Sequence, residues 1–561
     1  MRRLAAVVVI GLLATLTVGA RPARAAWPDP AEGRDAMVAS AHPLATEAGR
    51  TILKAGGNAV DAALAVSFAL SVVEPWSSGL GGGGFMVVAE HGKLTTWDMR
   101  EMAPGAATED MFIQDGKAVS ARSTQGALSA GVPGLVRGLV AAWKKSGKLP
   151  LETIIAPAYH LAKDGFPVTA RMASAIDGAK GKMNDAAKAV FMPGGKVPAI
   201  GATLVQPGLA MTLARIGQSE GEDFYTGQVA AELVRAVRDE HGLWTAADLA
   251  GYKVVEREPL TGSYHGYDIV SMGPPSSGGV LLVQMLGVLD RLPRAPWNGA
   301  DGMHQLAEVM KRAFAMRASG LGDPDFAAVD RQRFVGTATL ERLAREVRAA
   351  KRATPAKAIA EVKVKGLDRP DTTHFEIVLG NGDGVAMTQT INLRFGSGLV
   401  GGWTGVMLND EMDDFAAQPG VPNAFGLIGE KANAVAAGKR PLSSMTPTLV
   451  MKDGKVVGAF GSPGGSRIIS TTLEVLLHVV DDGMDPSEAL GAPRIHHQWY
   501  PDQLECERFA LTPEVKAALE KRGHKVVEGG MMGNAMAIWR RADGVLEGAA
   551  DPRGEGSAGG L

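Results

Sequence analysis

A chain of 561 residues that is 46% hydrophobic and 21% charged carries enough apolar side chains to bury a large core. Its formal net charge of −2 offers no electrostatic footprint for nucleic acid or another polyanion. Cys506 is the sole cysteine, which excludes an internal disulfide; a lone cysteine of this kind reads as a buried, inert thiol.

Taken in chain order, Arg2 and Arg3 precede an apolar run from Leu4 to Val18, and Ala23-Arg24-Ala25 is an A-x-A cleavage site. Residues 1–25 therefore read as a signal peptide. The mature protein is expected to start near Ala26, periplasmic or secreted, with no membrane anchor after signal removal. Ala45 to Lys54 reads as a helix stopped by Gly56-Gly57, and Asn58 can cap a second helix, Asp61 to Val73. A glycine loop, Gly79 to Gly84, leads into a buried strand, Phe85 to Ala89. His91-Gly92-Lys93 then turns the chain into a second strand, Leu94 to Met99, ending at Arg100.

Residues 130–350 show mostly helical patterns, with Pro274 to Gly279 forming a rigid loop before an apolar helix, Val280 to Leu289. From Thr354 to Asp371 the pattern dissolves into lysine, proline and mixed charge, which reads as an exposed connector and the best boundary in the chain. Two strand-like runs follow, His374 to Leu379 and Val385 to Ile391, joined by the hairpin punctuation Gly380 to Gly384. A long loop spans Asp413 to Pro441. Strands at Thr448 to Met451 and Lys455 to Phe460 then lead through a glycine turn into a helix, Ile468 to Val480.

Several familiar motifs fail on inspection. Gly79, Gly81 and Gly84 fit G-x-G-x-x-G, but a helix precedes the loop and a strand follows it, the reverse of a dinucleotide site. Around Ser462, Phe460 stands where a serine-hydrolase elbow needs its first glycine. No H-E-x-x-H occurs, and adjacent His496 and His497 on a strand would point to opposite faces.

Asp371-Thr372-Thr373-His374 is more informative, because an exposed connector ends there and a strand begins. If the chain opened before Thr372, that residue would carry a hydroxyl nucleophile and its own α-amine as base, whose reference pKa is about 7.7–8.0. Spacing alone equally allows ordinary β-branched strand residues. A hairpin centred between Asn381 and Gly382 sets Thr372 opposite Ile391, within one residue, so Thr390 and Asn392 end beside it. Gly464-Gly465-Ser466 lies between a strand and a helix, where backbone N–H groups can face a developing oxyanion or simply form a helix-entry turn.

At these residues the chain resembles the γ-glutamyltransferase (γ-glutamyltranspeptidase) family of N-terminal-nucleophile hydrolases. The matching segments are Gly56 to Ala63, Gly81 to Met86 and Arg100 to Pro104 in the first part of the chain. Thr372-Thr373-His374, Met412 to Phe415, Lys439 to Met445 and Gly461 to Ser466 follow in the second. The likeness runs from about Met37 to Arg553.

The resemblance implies an α+β fold, a four-layer αββα sandwich, built from one precursor as a large chain (26–371) and a small catalytic chain (372–561). It implies Thr372 as nucleophile with Thr390 bonded to it, and Gly464 and Gly465 lining the oxyanion hole. Arg100, helped by Ser443 and Ser444, would hold the α-carboxylate of the γ-glutamyl group; Asn392, Glu411 and Asp414 would hold its α-amine. These residue types suit those charges. Asp413 is expected to be structural or a helper, since neighbours in the chain rarely face one ligand together. Implied partners are glutathione and other γ-glutamyl compounds, with water or acceptor amino acids and peptides; no metal or organic cofactor is implied. Pro419 to Glu430 matches a loop that lids the site in many members, with Phe425 where a tyrosine often stands. A glutaryl or cephalosporin acylase on the same frame is the alternative, and the carboxylate pair Glu411 and Asp414 argues against it.

Overall fold

The computed structural model describes residues 27–360 and 372–561. The expected signal peptide and most of the connector before Thr372 lie outside these residues. Within them, fourteen strands form two seven-stranded sheets. In chain order these are β1 (Ala31–Gly33), β2 (Ala36–Ser40), β3 (Gly83–Glu90), β4 (Lys93–Asp98), β5 (Val255–Arg257), β6 (Leu260–Tyr264) and β7 (Tyr267–Ser271). Then come β8 (Thr373–Leu379), β9 (Gly384–Thr390), β10 (Thr448–Lys452), β11 (Lys455–Gly461), β12 (Met536–Arg540), β13 (Leu546–Ala550) and β14 (Ser557–Gly560). One sheet runs β1-β13-β12-β11-β10-β7-β6, the other β14-β2-β8-β9-β3-β4-β5.

Their central strands face each other: β8 and β9 lie on β11, and β2 lies on β13. Strands covered on both faces should be apolar throughout, and β8 and β9 are buried along nearly their whole length. Helices complete the outer layers. Helix α1 (Pro43–Lys54) and the fully buried α2 (Ala59–Val73) cover the second sheet. Helix α3 (Leu151–Asp164) packs on α2. On the other side α4 (Gly278–Leu289) and α6 (Arg467–Val480) lie on the first sheet, and α5 (Ala300–Ala318) packs on α4. The expected αββα arrangement is the observed one.

Local signals explain much of this order. Asn58 caps α2 in a reciprocal box with Asp61, which satisfies two otherwise orphaned N–H groups. Strands β5, β6 and β7 were not foreseen within the stretch expected to be mostly helical. Strands β6 and β7 form a tight hairpin, closed between Tyr264 and Tyr267 by His265 and Gly266, which both adopt positive φ, while β5 adds to the edge of the other sheet by pairing with β4. Cys506 is buried, as expected.

Candidate active site

Strand pairing sets the centre of the site. The β8–β9 register pairs Thr373 with Gln389, one residue from the expected centring. That places Thr372, just before β8, beside Thr390, the last residue of β9, with 3.3 Å between their Oγ1 atoms. Thr390 Oγ1 also accepts a 2.8 Å bond from the Asn392 backbone N–H. Asn392 sits at φ +74°, and its Nδ2 donates to the Asp410 carbonyl. A Cβ on Gly82 would lie 2.0 Å from the Thr390 carbonyl oxygen. The glycine run therefore marks where β3 enters against the end of β9.

Thr372 and Thr390 line one small cavity together with Arg100, Asn392, Glu411 and Asp414. Ser443, Ser444 and Gly465 complete its polar wall, while Phe425, Met445 and Ile468 supply its apolar surface. Nine of the ten residues singled out from sequence thus meet in one place. Gly464 is the tenth; it borders an adjacent groove with Pro463, Gly533 and Asn534. Gly464 and Gly465 adopt φ +135° and +58°, which only glycine takes up freely. A Cβ at Gly465 would also strike the Phe425 ring at 2.5 Å.

Arg100 emerges two residues past β4 and is fully buried. Its Nε donates to the Pro441 carbonyl at 3.1 Å, Nη1 to Glu411, and Nη2 to Asp414 Oδ2 at 2.5 Å. Glu411 and Asp414 are the two ends of one turn of 3₁₀ helix. In that geometry side chains at i and i+3 eclipse, so the two carboxylates face the same guanidinium. Asp413 points away, accepting from Ser123 Oγ at 2.6 Å and from the Ala424 N–H at 2.9 Å.

The charges in the cavity are out of balance. Glu101, whose carboxylate lies 3.6 Å from Arg100 Nη1, is buried with neither oxygen hydrogen-bonded, and burial pushes its pKa up to about 7. Burial also raises Glu411 well above the usual carboxylate range, and raises Asp414 against the opposing pull of Arg100. Such crowding of desolvated acids around one cation is typical of a functional site.

Sequence reading noted Glu101 only as part of a matching segment and missed Met445 and Ile468 as wall residues. It also missed Arg317 on α5, whose guanidinium Nη2 stands 3.5 Å from Ser444 Oγ. No signal marks that arginine, since a cation in a helical pattern reads as solvent-facing.

The sequence model of the gamma-glutamyltranspeptidase family matches residues 45–561. A glutathione hydrolase proenzyme of Escherichia coli (strain K12) is 43% identical over 531 residues, covering 93% of this chain and 91% of that protein. Among solved structures, a cephalosporin acylase from Bacillus halodurans superposes with a TM-score of 0.84 at 28% identity, covering 97% of this chain and 99% of the other. The gamma-glutamyltranspeptidase of Helicobacter pylori is 38% identical with a TM-score of 0.54, covering 55% of this chain and 90% of the other. A family match over most of the chain, with the matched motifs gathered on one cavity, leads to one conclusion: the chain belongs to the γ-glutamyltranspeptidase family.

Proposed function

We infer that the protein is a γ-glutamyltransferase and glutathione hydrolase that works as a self-cut threonine hydrolase. The observation that carries this reading is a threonine hydroxyl sharing a small cavity with one arginine and two carboxylates. A γ-glutamyl group presents an α-carboxylate and an α-ammonium side by side. Arg100 with Ser443 and Ser444 suits the first, and Glu411, Asp414 and Asn392 suit the second.

In the maturation step, the Thr372 hydroxyl attacks the Asp371 carbonyl and the acyl group moves from nitrogen to oxygen. Water then opens the ester, leaving the Asp371 carboxylate and a free Thr372 amine. In turnover, that amine takes the hydroxyl proton while the oxygen attacks the γ-amide carbonyl. Backbone N–H groups at Gly464 and Gly465 stabilise the oxyanion, an effect of roughly 3–4 kcal/mol per donor. The proton passes to the departing amine as the C–N bond breaks. Water or an acceptor amine then attacks the threonyl ester and restores the hydroxyl. Thr390 holds Thr372 Oγ1 in line for both steps.

None of the described helices is long and apolar enough to cross a membrane. The test is to incubate purified protein with L-γ-glutamyl-p-nitroanilide, with and without glycylglycine. Nitroaniline release that glycylglycine accelerates supports transfer as well as hydrolysis. Faster release from the glutaryl anilide than from the γ-glutamyl anilide would make the acylase alternative correct.

A further inference from the structure

Arg317 occupies the last turn of α5 and is only 5% exposed. Among the described residues no carboxylate forms an ion pair with it; its side-chain contacts are to two hydroxyls. Nε donates to Ser277 Oγ at 2.9 Å, and Nη2 stands 3.5 Å from Ser444 Oγ. Burying a cation without a counter-charge is costly. Burial does push this guanidinium down to about 10, against the attraction of Asp414, so it remains charged at neutral pH. The α5 helix dipole favours a cation at that end, but it does not account for the choice of hydroxyl partners.

Those partners matter because a guanidinium can only donate. The two serine oxygens facing Arg317 therefore act as acceptors, and their own hydrogens turn elsewhere. Ser277 sends its hydrogen to the Ser443 carbonyl at 2.7 Å, and its backbone N–H reaches the same oxygen at 2.8 Å. Ser443 is thus strapped to the loop before α4. The Ser444 hydrogen is left for the cavity that Ser444 lines.

Arg317 also lies within electrostatic reach of both Asp414 and Arg100, so its charge acts on the carboxylate end of the cavity.

We propose that Arg317 is a positioning residue for the substrate α-carboxylate, turning the Ser444 hydroxyl into the cavity and supplying the second positive charge behind it. The inference rests on the γ-glutamyl reading of the cavity. It concerns binding of the carboxylate end and leaves the chemical step to Thr372.

The experiment measures KM and kcat for L-γ-glutamyl-p-nitroanilide and for 4-aminobutyryl-p-nitroanilide, which lacks the α-carboxylate. The proteins are the parent, Arg317→Met, Arg317→Gln and Arg317→Lys. Glutamine keeps a donor for Ser277, so it guards against loss of the fold in the methionine variant. For the γ-glutamyl substrate the two neutral variants should raise KM tenfold or more with kcat within threefold. Lysine, which keeps the charge, should hold KM within threefold of the parent. The 4-aminobutyryl substrate should respond to none of the three. KM within twofold of the parent in both neutral variants, lysine no better than glutamine, or equal losses on both substrates would overturn the proposal while the γ-glutamyl reading stands. Absence of γ-glutamyl turnover in the parent would overturn that reading, and this inference with it.

Discussion

Thr372 Oγ1 lies 3.3 Å from Thr390 Oγ1 because Thr372 comes just before, and Thr390 just after, the Thr373–Gln389 rung that closes the β8–β9 ladder. If this pair organises the nucleophile, purified protein separates into two chains, the smaller spanning residues 372–561 and beginning Thr-Thr-His-Phe. Thr372→Ala should stay as one chain without activity. Thr390→Val keeps the shape and loses the hydroxyl, so self-cleavage and turnover should both slow by about tenfold, the effect of one hydrogen bond. N-terminal sequencing and timed gels provide the check; a fully active protein found as a single chain would rule out the mechanism.

Arg100 binds through three separate donors, Nε, Nη1 and Nη2, each with its own acceptor. Arg100→Lys keeps the charge but cannot reproduce that fork. KM for γ-glutamyl substrates should rise by roughly 10–100-fold, as for loss of a charged hydrogen bond, while self-cleavage proceeds. An unchanged KM would remove Arg100 from substrate binding.

Asp414 separates γ-glutamyl from glutaryl substrates, which differ by one ammonium. A hydrogen bond to a charged group contributes about 1.5–3 kcal/mol, so Asp414→Asn should lower kcat/KM for γ-glutamyl anilide by roughly one to two decades. The matched glutaryl anilide should be unaffected or improved. Equal losses on both would make Asp414 structural, a plain counterion of Arg100.

Glu474 on α6 gives a pH dependence away from the site. It is buried, its Oε1 accepts from the Ile495 N–H at 2.9 Å, and burial pushes its pKa up to about 8. A folded value above the unfolded one means stabilisation that is complete below the ordinary glutamate value of 4.5 and lost as pH rises through about 8. Glu474→Gln mimics the protonated form at every pH. The melting temperature of the parent should therefore fall behind that of the variant as pH goes from 5 to 9. A gap that stays constant across that range would mean the carboxylate is ionised in the fold.

Much of this was legible in the residues, and the limits are instructive. Asn58, the Gly380 to Gly384 turn and the apolar runs of β8 and β9 act locally, so their signals lie in adjacent residues. The eclipsing of Glu411 and Asp414 was only partly legible, since it depends on a 3₁₀ turn that spacing alone does not specify. Strands β6 and β7 were missed because two short strands ending at a sheet edge have little hydrophobic alternation of their own. Arg317 was invisible for a different reason. Its role comes from what α5 packs against, and Ser277 and Ser444 lie far from it in the chain.

The order of the second sheet has a consequence for what a cut before Thr372 does to the molecule. Strands β8 and β9 sit between β2 on one side and β3 on the other, and β14 pairs with the far edge of β2. The two pieces would be laced through each other, sharing ladders along three seams of this sheet and two more, β1–β13 and β7–β10, in the other. Parting them means unzipping the middle of the sheet, so dissociation and global unfolding become the same event. Dilution cannot drive exchange of pieces between molecules on the timescale of the native state, and a small chain made separately lacks the strands on which β8 and β9 are built. The precursor's continuity is then an assembly device, needed once and dispensable after folding.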